Sequence, residues 1–265
     1  VATKSNYFHA IIQAEKLWIN INSKNIIIQP KMKETLPIVS LSARIIWSWN
    51  ILMMPSDHLI QDEENFVNIV KKWENYLKNW ILTFWIKPSK IETWYWYIEK
   101  NNEDKVLNFH EKPNYETADK YIKNWFLWNS WIYFFEKNFL FQELELLEKN
   151  VYDLINSKNK TDDEIFEEIE AISFDNWISE KSKHMYCLEM DIKWSDLWSF
   201  DSIWEYVEEN NIKKDNLIEI WDTKNNVIIW ENDNKEIALI DVQDLVIVDN
   251  DDVLLISKKW STQKV

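Results

Sequence analysis

The sequence predicts an α/β protein, a doubly wound and mostly parallel sheet followed by a small all-β extension. Three observations predict it. Wholly apolar runs at Ile51–Met54 and Ile81–Ile86 read as strands covered on both faces. Segments with helical apolar spacing alternate with them. The clearest is Asp62–Asn79, where Phe66, Ile69, Val70, Trp73, Tyr76 and Leu77 share one face. From about Asn216 the texture changes. Short strands at Val227–Ile229, Ile237–Ile240, Leu245–Val248 and Val253–Ile256 are separated by Asn/Asp clusters. The division predicted is a domain over 1–212 and an extension over 213–265.

In chain order, Val1–Thr3 reads as the tail of a strand and Tyr7–Leu17 as a helix. Asn25–Gln29 is a strand stopped by Pro30. Leu36–Ile46 is a helix, with Pro37 tolerated in its first turn. Ile51–Met54 ends in Pro55-Ser56-Asp57-His58. A carboxylate at a strand's end can hold a divalent cation against phosphate oxygens; an N-cap or turn aspartate is the structural alternative. Lys105–Phe109 is a strand ended by Glu111, Lys112 and Pro113, and a short polar helix follows over 115–124. Asn129 and Ser130 then interrupt a second apolar run, Trp131–Phe135. Polar groups stranded beside buried strands suit a small-molecule site. The alternatives are a surface ion pair for Glu111 and Lys112 and a turn for Asn129. Residues 136–171 read as helical, His184–Asp191 as a strand, and Ser199–Glu208 as a helix capped by Ser199 or Asp201.

Five ordered segments resemble the sugar-1-phosphate nucleotidylyltransferases, and most of all the mannose-1-phosphate guanylyltransferases. They are Pro55-Ser56-Asp57-His58, Glu92–Glu99 (ETWYWYIE), Phe109–Pro113 running on to Leu127-Trp128-Asn129-Ser130, Ser173–Ser182 (SFDNWISEKS), and Trp194–Phe200 (WSDLWSF). The resemblance implies a Rossmann-like nucleotide-diphospho-sugar transferase fold with a β-helix-like C-terminal extension. It implies Asp57 and Asp196 as ligands of one Mg²⁺, Lys112 on the sugar phosphate, and Glu99, Glu111 and Asn129 on the sugar. The backbone around Tyr95 and Trp96 would approach the sugar. The substrates implied are GTP and mannose 1-phosphate. A relative with another base or sugar, and a non-catalytic sugar-phosphate binder, both remain open. The family's glycine-rich nucleotide loop has no match here, so this stretch by itself is expected to be inactive and poorly soluble.

The alphabet is anomalous. The chain has 18 tryptophans and no glycine, whereas ordinary usage gives roughly 19 glycines in this length, and zero by chance is on the order of 10⁻⁸. Tryptophans also stand where turns or the family pattern call for glycine: Trp47 and Trp49 around Ser48, Trp80 after Lys78-Asn79, Trp94 and Trp96, Trp131, and Trp198. The reading adopted is that most are glycines encoded by UGA in a variant genetic code. Trp128, Trp194 and Trp204 fit the family as tryptophans, and Trp73 is left open.

Composition bounds the rest. A net charge of −15 argues against a general nucleic-acid binder. One cysteine, Cys187 in an apolar run, excludes an internal disulfide framework and fits a reducing cytosol as a core filler. No run of 18 apolar residues suggests a membrane span. A homo-oligomer is left open.

Overall fold

The structure is a computed structural model. It describes residues 1–22, 25–197, 202–203, 206–207, 210, 217–230, 236–249, 252–259 and 261. The predicted helix over Ser199–Glu208 and positions Trp198 and Trp204 lie wholly or largely outside these.

The chain opens with β1 (Ala2–Thr3), α1 (Tyr7–Lys16), β2 (Ile28–Gln29), α2 (Thr35–Ile45), β3 (Asn50–Met53) and β4 (Leu59–Ile60). It continues through α3 (Glu63–Trp73), β5 (Ile81–Ile86), β6 (Tyr97–Lys100), β7 (Val106–His110), α4 (Tyr115–Lys123) and β8 (Leu127–Glu136). Four helices follow: α5 (Lys137–Leu147), α6 (Lys149–Ile155), α7 (Asp162–Glu168) and α8 (Phe174–Lys181). Then come β9 (Met185–Glu189), β10 (Trp194–Ser195), β11 (Leu217–Ile220), β12 (Val227–Trp230), β13 (Ile237–Ile240), β14 (Leu245–Asp249) and β15 (Leu254–Lys258). These form two compact units, one of Val1–Pro55 with Glu63–Ile192, the other of Ser56–Asp62 with Lys193–Val265.

The first unit is built on a sheet of order β7-β6-β8-β5-β9, with β3 pairing β8 as well. The α/β class stands, but the sheet is mixed rather than mostly parallel. Strands β3, β5, β6 and β9 run one way; β7 and β8 run the other. The β7–α4–β8 crossover joins two strands of like direction. The β6–β7 hairpin, closed by Asn101–Asp104, inserts β6 between them. Most hydrogen-bonded neighbours are therefore antiparallel, and β5–β9 is the parallel pair.

Helices cover both faces of this sheet. One face carries α2, α5, α6, α7 and α8 around Ile81, Tyr133, Phe135 and Met185, with Trp177 of α8 in the same core. On the other, Phe66 of α3 meets Phe84 of β5 at 6.1 Å between ring centroids. Burial explains why the apolar text of β5 has no alternation. The stretch 136–171 is three helices rather than one continuous run. α5 breaks at Glu148, whose φ is −141° and from which α6 starts at once; after α6 ends at Ile155, the capping box of Thr161 with Glu164 starts α7. The predicted strand at Asn25–Gln29 shrinks to β2.

The second unit contains a parallel coil. β11 pairs β13 with Leu217 opposite Ile237, and β12 pairs β14 with Val227 opposite Val246. Successive rungs thus recur after 20 and 19 residues, the repeat of a β-helix-like stack. The antiparallel β15 closes it. Among the described residues, Asn225, Asn226, Asp241 and Asp244 sit at the corners. Asn226 accepts from Leu245 N at 3.0 Å and donates to Val242 O at 2.9 Å, tying one rung to the next. Among the described residues, no helix is long and apolar enough to cross a membrane.

Candidate functional site

In the second unit, β4 and β10 form a two-stranded antiparallel ribbon with Ser195 opposite Leu59 and Trp194 opposite Ile60. The Trp194 indole donates Nε1–H to His58 Nδ1 at 3.2 Å and packs edge-on against that ring. Asp57 precedes Leu59 by two residues and Asp196 follows Ser195 directly, so both carboxylates lie off the same end of the antiparallel ribbon. The sequence separates these carboxylates by more than half the chain, yet they flank the same end of one ribbon. Asp57 is exposed and Asp196 half-buried. Among the described residues, no group of three or more His, Cys, Asp or Glu forms a metal cluster. Mg²⁺ asks for less: one or two carboxylates, with its other positions taken by water and substrate phosphates. Two hard oxygen donors at one ribbon end fit that demand.

In the first unit, β7 delivers Glu111 and Lys112 to its exposed end. Asn114 then caps α4, accepting from Thr117 N at 2.9 Å. Lys112 takes the left-handed region at φ 24°, and its Nζ lies 5.9 Å from the centre of the Trp94 ring. Glu99 accepts from Asn108 Nδ2 at 2.8 Å and lies 3.5 Å from His110 Nε2. Glu92 folds back on the loop it begins, accepting from Thr93 N at 2.9 Å and Trp94 N at 3.2 Å.

The third cluster centres on Asn129. Three residues of β8, Ser130–Ile132, stand opposite Phe84 of β5, so the ladder bulges. Ser130 Oγ donates to Phe84 O at 2.8 Å, and Trp131 adopts φ 57°. Asn129 Oδ1 accepts from Thr83 Oγ1 at 3.0 Å and from Trp131 N at 3.3 Å. Its Nδ2 donates to Tyr133 OH at 3.1 Å, and that hydroxyl donates to Asp175 Oδ1 at 2.5 Å. Sequence reading gives no role to Thr83, Tyr133 or Asp175. The available signal is a threonine inside an apolar strand and a tyrosine shortly past the interruption.

Accessibility divides the candidates. Glu99, Glu111 and Lys112 reach solvent, whereas Tyr95, Trp96 and Asn129 are buried. Tyr95 packs edge-on against Trp128 at 5.0 Å and Trp131 at 5.7 Å, and Trp96 O accepts from Asn129 N. The printed tryptophans thus crowd the stretch where a sugar is expected. Cys187 is fully buried, and burial pushes its thiol up to about 12, which leaves no nucleophile at neutral pH.

Among the described residues, four tryptophans hold positive φ: Trp18, Trp125, Trp131 and Trp221. Three of these are almost bare, with Trp18 96% exposed, Trp125 81% and Trp221 82%. Trp221 is the rung equivalent of Asp241, which is also left-handed. Trp80 differs from expectation. Asn79 takes the left-handed position at φ 64°, and Trp80 packs edge-on against Tyr186.

Comparisons with known proteins agree with the fold. A mannose-1-phosphate guanylyltransferase of Escherichia coli is 30% identical over 98% of this chain and 62% of its own length. One of Salmonella muenchen is 31% identical over 98% of this chain and 60% of its own. The chain spans about three fifths of the length of these curated relatives. A solved structure from Thermus thermophilus, described as a mannose-1-phosphate geranyltransferase, superposes with a TM-score of 0.77. It covers 96% of this chain and 78% of its own at 16% identity, a likeness of fold. The family profile described as nucleotidyl transferase matches residues 2–212; the chain belongs to the nucleotidyl transferase family.

Proposed function

We propose that the complete protein is a mannose-1-phosphate guanylyltransferase, joining GTP and mannose 1-phosphate into GDP-mannose and pyrophosphate. The observation that carries this reading is the β4–β10 ribbon, which sets Asp57 and Asp196 at one end. In it, residues 1–212 are the nucleotidylyltransferase domain and 213–265 an assembly or packing element. Asp57 and Asp196 hold Mg²⁺, which when bound offsets negative charge on the phosphates. Lys112 holds the sugar phosphate as a point charge, and Glu99, Glu111 and Asn129 orient the sugar. An oxygen of the sugar phosphate attacks the α-phosphorus of GTP as the α–β bridging bond breaks and pyrophosphate leaves. The acidic surface and single buried thiol suit the cytoplasm.

The reading includes glycine at most printed tryptophans. Positive φ is a steric outlier for a bulky residue and costs glycine nothing. Glycine at 96 and 131 would clear the stretch beside Asn129, whereas Trp128, Trp177 and Trp194 are packed side chains.

In the full-length enzyme, Asp57→Ala and Asp196→Ala are each expected to lower kcat by about 10³-fold or more with the unfolding temperature unchanged. Near-normal turnover in either variant would remove the metal assignment.

A further inference from the structure

Asn129 can make about four side-chain hydrogen bonds. Its Oδ1 is taken by Thr83 Oγ1 and Trp131 N, and one Nδ2 hydrogen goes to Tyr133 OH. The Tyr133 hydroxyl has a single proton, and it goes to Asp175 Oδ1 at 2.5 Å. That donation turns the phenol lone pairs towards Asn129 and fixes which end of the Asn129 amide is nitrogen. At the other end the Trp131 N–H, which can only donate, calls for the amide oxygen, and Thr83 Oγ1 lies within hydrogen-bond reach of both that oxygen and Ile132 O. The amide therefore cannot flip, and one Nδ2–H is left in a set direction.

Asp175 comes from the first turn of α8, behind Ser173, whose hydroxyl accepts from Asn176 N at 3.0 Å. Phe174 beside it is fully buried, and its N donates to Thr35 Oγ1 of α2 at 2.7 Å. The aspartate is thus anchored by the core rather than by solvent-facing groups.

We propose that Tyr133 and Asp175 are a positioning pair that orients the Asn129 amide towards the sugar of mannose 1-phosphate, coupling the start of α8 to substrate binding. This rests on the reading that Asn129 contacts the sugar. Neither residue touches substrate; both act through Asn129. A charge-assisted bond suits the task, because it is short and strongly directional, and a buried network left half satisfied loses its order.

The test is steady-state kinetics of the full-length enzyme, varying mannose 1-phosphate at saturating GTP, beside thermal unfolding. Tyr133→Phe is expected to raise KM for mannose 1-phosphate about tenfold, with kcat and the KM for GTP within about threefold. Asp175→Ala should match it. Asp175→Asn, whose amide oxygen still accepts the phenol proton, should restore KM. A Tyr133→Phe enzyme with a lowered unfolding temperature and unchanged KM would mark a purely structural pair and overturn the proposal. If Tyr133→Phe does not fold, Asp175→Ala against Asp175→Asn decides by the same comparison. Asn129→Ala separates the two layers. An unchanged KM there removes Asn129 from the sugar site and the underlying reading with it. A raised KM there, with Tyr133→Phe unchanged, overturns the positioning pair alone.

Discussion

Asn129 and Trp131 stand two residues apart in β8 and meet opposite fates. Asn129 is fully buried and hydrogen-bonded at both ends of its amide, while Trp131 is held at φ 57°. The difference is chemical: an amide can accept and donate within the bulge, and an indole offers one donor and much bulk. The same logic governs Asp175. Burial holds its carboxyl above the ordinary value of 3.8, opposed by the Tyr133 hydrogen bond. A raised folded value means a contribution to stability that is complete below 3.8 and lost as pH rises through the folded value. Asp175→Asn should therefore gain stability relative to wild type between acid and neutral pH. Thermal unfolding across that range checks it; a parallel pH dependence in both proteins would contradict it. Cys187 gives a simpler check. With its thiol pushed up to about 12, it should resist alkylation in the native protein and react on unfolding, as read by mass. Rapid native modification would contradict its burial.

Among elements, legibility follows pattern strength. The apolar face of α3 and the wholly apolar β5 can be read because burial on one or both faces leaves a periodic signal. The mixed sheet cannot be read, since strand direction depends on the Asn101–Asp104 hairpin and on β6 entering between β7 and β8, and neither leaves a trace in hydropathy. Strands β4 and β10 are two residues each and too short to leave a pattern, yet their pairing puts Asp57 and Asp196 off the same end of one ribbon. The Thr83–Asn129–Tyr133–Asp175 network joins three distant segments, so no local window contains it. Long-range tethering also explains Lys33. Its Nζ donates to Phe166 O at 2.8 Å, Glu167 O at 2.7 Å and Ile169 O at 2.8 Å, closing the C-terminal end of α7. Lys33→Met should destabilise the protein by about 1–3 kcal/mol, measured by denaturant unfolding. A loss indistinguishable from zero would mean the carbonyls find water instead.

For the whole molecule, the variant-code reading proposed above gives the absence of glycine and the left-handed tryptophans one cause. A domain with this many corners needs residues that reach positive φ. Asn and Asp supply several here: Asp62, Asn79, Asp104, Asn225, Asp241 and Asp244. Trp18, Trp125, Trp131 and Trp221 occupy the same region without that excuse. Protein isolated from its native source should carry glycine at these four positions by peptide mass mapping; tryptophan at all four would overturn the variant-code reading and leave the stretch around Asn129 filled. The catalytic account has its most direct test in product formation. The full-length protein would be incubated with Mg²⁺, mannose 1-phosphate and each of the common nucleoside triphosphates in turn, and the products resolved by ion-exchange chromatography. The account predicts GDP-mannose and pyrophosphate in equal amounts from GTP, lost in Asp57→Ala and Asp196→Ala. Binding of mannose 1-phosphate with no nucleotide sugar formed from any triphosphate would contradict it and leave a non-catalytic sugar-phosphate-binding relative.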